Sequence, residues 1–227
     1  MSKTTEKKQT VAQAAKASQN RKIAIIGVIA AVVIVAGLFA VLSGGSKKPT
    51  DAGTAAGEVH AVTVTGDVLD PMPDTSGGAA DPGLGKKPPE LSGRSFDGST
   101  ISIVPGGKPK LVIFVAHWCP HCRAEVPRIV QWMNTDQKPK NLDLLAVSTA
   151  VNRSPTNYPP SKWFQTEKFT VPVLTDDAKS TAAQAWGLPG YPYLVMVRAD
   201  GTVAARTSGE FADVTALNDW VQKAYTA

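Results

Sequence analysis

Trp118, Cys119, Pro120, His121 and Cys122 stand side by side, and the two cysteines are the only ones in the 227-residue chain. Two sulfurs this close cannot staple distant parts of a fold, so their use is local: redox exchange, metal binding or haem attachment. If Cys119 opens a helix, Cys122 lies about one turn further on, within reach to close a disulfide. A thiolate at that place meets the partial positive charge and the free N–H groups of the helix end. It is stabilised there, and His121 can tune it with further positive charge. Such a pair cycles through mixed disulfides with other thiols. Haem attachment needs a histidine directly after the second cysteine, where this chain has Arg123. A copper or zinc site would have only His60, His117 and His121 to supplement the two thiols. No organic cofactor or metal is required for the redox reading.

The elements around the motif place it where a buried strand passes into a helix. Lys110–Ala116 (KLVIFVA) is a nearly continuous apolar run, as in a strand covered on both faces. The following helix carries Val126, Ile129, Val130 and Met133 at helical spacing, with Pro120 in its first turn and Pro127 as a kink. Leu142–Thr149 and Pro192–Val197 read as two more buried strands, and a turn at 199–201 leads from the latter into Thr202–Arg206. A short strand is expected at Ile101–Val104, behind the FDGS turn at 96–99. Residues 160–168 and 178–186 read as helices, and Asp213 caps a last one bearing Val214, Leu217, Val221 and Tyr225. Strands alternating with helices, closed by a hairpin and a helix, make an α/β domain with a mixed sheet flanked by helices.

Upstream the chain has a different character. Ile23–Leu42 is an uninterrupted run of 20 apolar or Gly residues, long enough as a helix to cross a bilayer. It exceeds the apolar run of a cleaved signal peptide, so it reads as a retained anchor. Residues 1–22 hold six of the 24 basic residues and one of the 19 acidic ones. The positive-inside rule then puts the N-terminus in the cytoplasm and everything after Leu42 outside, in a setting that permits disulfides. Because the remaining charges balance, the basic excess belongs to the tail, and the main domain has no electrostatic case for nucleic acid. Composition excludes collagen and a wholly disordered chain, and two cysteines exclude a disulfide scaffold. The expected organisation is a basic tail at 1–22, a transmembrane helix at 23–42, a Gly/Pro-rich linker at 43–84 and the α/β domain at 85–227. Within the linker, residues 58–69 have room for a short strand or hairpin.

From about residue 84 onward the chain resembles the thioredoxin superfamily, in particular membrane-anchored TlpA-like thiol–disulfide oxidoreductases. The resemblance is carried by AHWCPHCRAEVP at 116–127 and WGLPGYPYLVMV at 186–197, with the FDG turn and DDAKSTAAQAWG at 176–187 in support. It implies a thioredoxin-like fold, Cys119 as the attacking cysteine, Cys122 as the resolving one and a cis-proline at Pro192. It also matches Glu125, three residues after the second cysteine, which reads either as a buried acid near that thiol or as a solvated helix Glu beside Arg123 and Arg128. Thioredoxin itself has a buried aspartate six residues before the first cysteine; Ile113 stands there. Glu125 inherits that role, or no base is needed. The Pro-His dipeptide is that of DsbA-type oxidants, whereas many TlpA-like reductants differ there.

The expected activity is disulfide exchange with thiols or disulfides of exported proteins, in oxidative folding, with a membrane partner that re-oxidises the pair. Trp118, Tyr191 and Pro192 form the expected substrate contact, where a peptide can add as a short strand. The alternatives are a reductant of apocytochrome c thiols and a thioredoxin-fold metal chaperone.

Overall fold

The computed structural model describes residues 57–74 and 79–227. The basic tail and the apolar span at 23–42 lie outside these residues. Among the described residues no helix is long and apolar enough to cross a membrane.

In chain order the strands are β1 (Thr63–Thr65), β2 (Glu90–Arg94), β3 (Thr100–Ile103), β4 (Lys110–Val115), β5 (Asp143–Ser148), β6 (Val173–Thr175), β7 (Tyr193–Val197) and β8 (Val203–Ser208). The helices are α1 (Pro120–Met133), α2 (Pro160–Thr166), α3 (Thr181–Ala185) and α4 (Val214–Thr226). One sheet runs β1-β2-β6-β5-β4-β7-β8, with β3 beside β2. β4, β5 and β6 are parallel, and β7 and β8 pair antiparallel on the other side of β4. The sheet is mixed and flanked by helices, as the alternating pattern implies.

β4 lies at the centre because its side chains serve both faces. Leu111, Ile113 and Val115 point into one core with Val126, Ile129 and Trp132 of α1 and Leu217 and Val221 of α4. Val112 and Phe114 point the other way, to Leu91, Ile103, Trp186 and Tyr193. This alternation is the two-residue period of a strand. Each fully buried large apolar side chain contributes about 1.5–3 kcal/mol against exposure. Trp132 is wholly buried and donates its indole N–H to Asn218 Oδ1 at 3.2 Å, tying α1 to α4. Asp213 caps α4 as expected, accepting from the Ala216 N–H at 2.8 Å.

Of the stretch expected as linker, the described residues are in large part built into this body. β1 pairs with β2, with Val64 opposite Leu91. Leu69 is buried and donates its N–H to the Ala185 carbonyl, and Met72 does the same to Gly187. Glu58 accepts from both the N–H and the hydroxyl of Ser161 at the start of α2. Arg206 of β8, its side chain wholly buried, pairs with Asp81 and donates to the Asp70 carbonyl at 2.9 Å. The composition of this segment is that of a linker, but its order comes from partners more than 100 residues away.

Candidate active site

Cys119 is the N-cap residue of α1, with extended backbone, and Pro120 takes the first helical turn, where its missing N–H costs nothing. The Cys119 N–H donates back to the Ala116 carbonyl at 3.1 Å, folding the chain tightly from β4 into α1. Cys119 is 6% exposed and Cys122 0%, so an incoming group meets Cys119 and finds Cys122 behind it. Both are thiols. The Ala116 N–H points at Cys122 Sγ at 3.4 Å. Burial pushes the Cys122 thiol far up; the Ala116 N–H opposes this, and Cys119 and the Glu125 charge add to it.

Glu125 is wholly buried, on the face of α1 that also carries Cys122, Val126 and Ile129. Its Oε2 accepts from Arg128 at 2.6 Å and from the Phe211 N–H at 3.0 Å, while Oε1 has no hydrogen-bond partner. Burial pushes the carboxyl above its ordinary value, and the Phe211 N–H and Arg128 offset only part of this. The inward stripe of α1 thus includes Glu125 and Trp132, whereas Val130 and Met133 are only half-buried.

The third neighbour of the sulfur is the loop before β7. The Tyr191–Pro192 peptide bond is cis. The Cys119 thiol donates to the Tyr191 carbonyl at 3.7 Å. Trp118, half-buried, stands edge-on to the Tyr191 ring with centroids 5.9 Å apart and donates its indole N–H to the Ala150 carbonyl at 2.8 Å. The structure therefore gathers Trp118, Cys119, Cys122, Glu125, Tyr191 and Pro192 around one point. His121 is exposed, and its Nδ1 lies 2.9 Å from Glu210 Oε1.

Two residues belong to the support of this site without having been read as such. His117 is buried, with Nδ1 2.7 Å from the Thr156 carbonyl and Nε2 3.2 Å from that of Asn152. It clamps the loop after β5 against the motif. Asp176 is buried at the start of α3 and accepts from Thr149 Oγ1 and from the N–H groups of Asp177, Ala182 and Ala183. Burial raises its carboxyl pKa despite these donors. Its one sequence signal is an acidic residue just ahead of a helix. As for metal ligands, His60 Nδ1 lies 2.6 Å from Thr175 Oγ1, so each of the three histidines is engaged with another partner. Among the described residues no three His, Cys, Asp or Glu side chains gather as a metal site.

A thiol at a helix N-terminus that keeps a small exposed edge, with a wholly buried second thiol behind it, is equipped for exchange with disulfides. The profile of the Redoxin family matches residues 70–220, about two thirds of the chain. The chain belongs to the Redoxin family. The soluble secreted antigen MPT53 of Mycobacterium tuberculosis is 30% identical over 124 residues, 55% of this chain. Human nucleoredoxin is 28% identical over 130 residues, 56% of the chain. The matched stretch spans only 65% of MPT53 and 27% of nucleoredoxin. The Redoxin body also resembles a thiol:disulfide interchange protein of the thioredoxin family from Chlorobium tepidum, with a TM-score of 0.50 and 26% identity over 64% of this chain and 99% of that one. Its fold is accordingly thioredoxin-like.

Proposed function

We propose that this chain is a membrane-tethered thiol–disulfide oxidoreductase that works outside the cytoplasm and passes its disulfide to exported proteins. The observation that carries the reading is the pairing of an approachable Cys119 with a wholly buried Cys122, beside the Tyr191 carbonyl. In the oxidising direction a substrate thiolate attacks Cys119 Sγ of the Cys119–Cys122 disulfide. That S–S bond breaks, a mixed disulfide forms, and Cys122 leaves as a thiolate that takes up a proton. A second substrate thiolate then attacks the first substrate sulfur in the mixed disulfide, which forms the substrate disulfide and releases Cys119 as a thiolate. Two electrons have moved from the substrate dithiol to the Cys119–Cys122 pair, and a membrane partner removes them. Trp118 and Tyr191 flank the sulfur and supply the surface on which a peptide docks. The basic residues ahead of the apolar span support the outward orientation. So does the name of the mycobacterial relative, a secreted antigen.

One observation favours a second reading, a reductant of apocytochrome c thiols. Burial, with Glu125 adding to it, holds Cys122 as a thiol, so the reduced pair gains no stabilisation from ionisation there and the couple is less oxidising than one whose second thiol also ionised.

The reading is tested by trapping. Cys122→Ala expressed in the full chain should accumulate exported proteins disulfide-linked to Cys119, and these complexes should disappear when Cys119 is also replaced. A Cys122→Ala protein that captures nothing through Cys119 would remove the basis of the proposal.

A further inference from the structure

Glu210 lies in the turn between β8 and α4, and no sequence motif marks it. Its Oε1 is 2.9 Å from His121 Nδ1, 89 residues away in the chain. Its Oε2 is 3.8 Å from Arg128 Nη1, the same nitrogen that donates to Glu125 at 2.6 Å. A row of alternating charge capacity thus runs from His121 through Glu210 and Arg128 to Glu125, from the exposed dipeptide to the buried acid on the Cys122 face of α1. The Cys119 thiol, meanwhile, is directed at the Tyr191 carbonyl.

We propose that Glu210 is a positioning residue that holds the His121 imidazole by Nδ1 and offsets with its own negative charge the field the dipeptide sets at Cys119, making the couple less oxidising than a free Pro-His dipeptide would. The inference rests on the oxidoreductase reading above. The physical link is the stability of the reduced state. A positive charge beside the attacking sulfur stabilises its thiolate, and a stabilised reduced form is a stronger oxidant. A carboxylate hydrogen-bonded to the imidazole cancels much of that field and fixes the ring on the side of the β8–α4 turn. The chemistry of the Pro-His dipeptide alone points to an oxidant, and Glu210 moderates it. The His121 and Glu210 side chains are 61% and 34% exposed, so water and salt screen the effect and keep it modest.

The test is the equilibrium of the full chain with reduced and oxidised glutathione, for the wild type, Glu210→Gln, His121→Ala and the double variant. Glu210→Gln removes the charge with almost no change of shape at an exposed position. It should move the equilibrium toward reduced protein by roughly two- to fivefold, the range of an exposed ion pair; a tenfold change would equal about 30 mV. In the His121→Ala background the same substitution should do little, and high salt should shrink the effect in the His121 protein. No shift, a shift toward oxidised protein, or an equal shift without His121 would overturn the inference, the last by assigning the effect to Arg128 and Glu125. A wild type with no reversible disulfide would instead overturn the oxidoreductase reading itself.

Discussion

The Arg128 guanidinium meets the Glu125 carboxylate at 2.6 Å, one turn of α1 below Cys122, and leaves the other carboxylate oxygen buried without a partner. Burial wins over these donors, so Glu125 holds its proton to higher pH in the folded protein than in the unfolded chain. The folded state then binds the extra proton, and stability from this group is present at acid pH. It declines as pH rises from the ordinary carboxylate value through the raised one. The advantage of wild type over Glu125→Gln in urea unfolding should therefore shrink as pH rises above the ordinary carboxylate value of about 4. Parallel pH profiles for the two proteins would contradict the burial argument.

Arg206 and Asp81 join β8 to the segment before β2. Burial raises the Asp81 carboxyl, but Arg206 and the Gly83 N–H outweigh it and leave it below its ordinary value. Its contribution is thus complete at neutral pH and lost as pH falls through that depressed value. Arg206→Ala leaves the Asp81 carboxylate with the Gly83 N–H alone and takes this donor from the Asp70 carbonyl and the Tyr193 hydroxyl. It should cost about 3–5 kcal/mol in denaturant unfolding. A cost below about 1 kcal/mol would mean that the segment is held by something else.

Trp118 binds the loop at Ala150 on one side and the Tyr191 ring on the other. Trp118→Ala should weaken docking of unfolded protein substrates by about 1 kcal/mol, roughly fivefold in kcat/KM. Exchange with a small thiol such as dithiothreitol should be nearly unaffected, because it needs no peptide surface. An equal loss with both substrates would place Trp118 in the support of Cys119 and not in recognition.

How much of this was legible in the sequence varied with where each element finds its stability. β4, β5 and β7 were visible because both of their faces are buried and their apolar runs are nearly continuous. The Asp213 cap was visible because it is local. β2 was missed: in ELSGR only Leu91 is apolar, and the strand exists through its pairing with β1, β3 and β6. β6 has three residues and depends on β5. The two cysteines and their neighbours were legible as a motif. Glu125 was ambiguous, because Arg128 three residues on gives the same pattern as a solvated helix pair. Glu210 and the His117 clamp had no signal, since their partners are distant in the chain.

The proposed outward orientation rests on the basic residues ahead of the apolar run at 23–42. A reporter that works only after export should be active when fused behind Ala227, and one that works only in the cytoplasm should be silent. The reverse result would put the cysteines in a reducing compartment.

The most direct test of the account is the reduction potential of the Cys119–Cys122 couple, followed by mass spectrometry of the full chain in glutathione buffers of graded ratio. The account predicts one reversible two-electron transition between dithiol and disulfide, at a potential nearer to the roughly −120 mV of a strong oxidant than to the roughly −270 mV of thioredoxin. A transition near −270 mV or below would contradict the oxidative role and favour the reductant, and a chain that forms no reversible Cys119–Cys122 disulfide would contradict the redox site altogether.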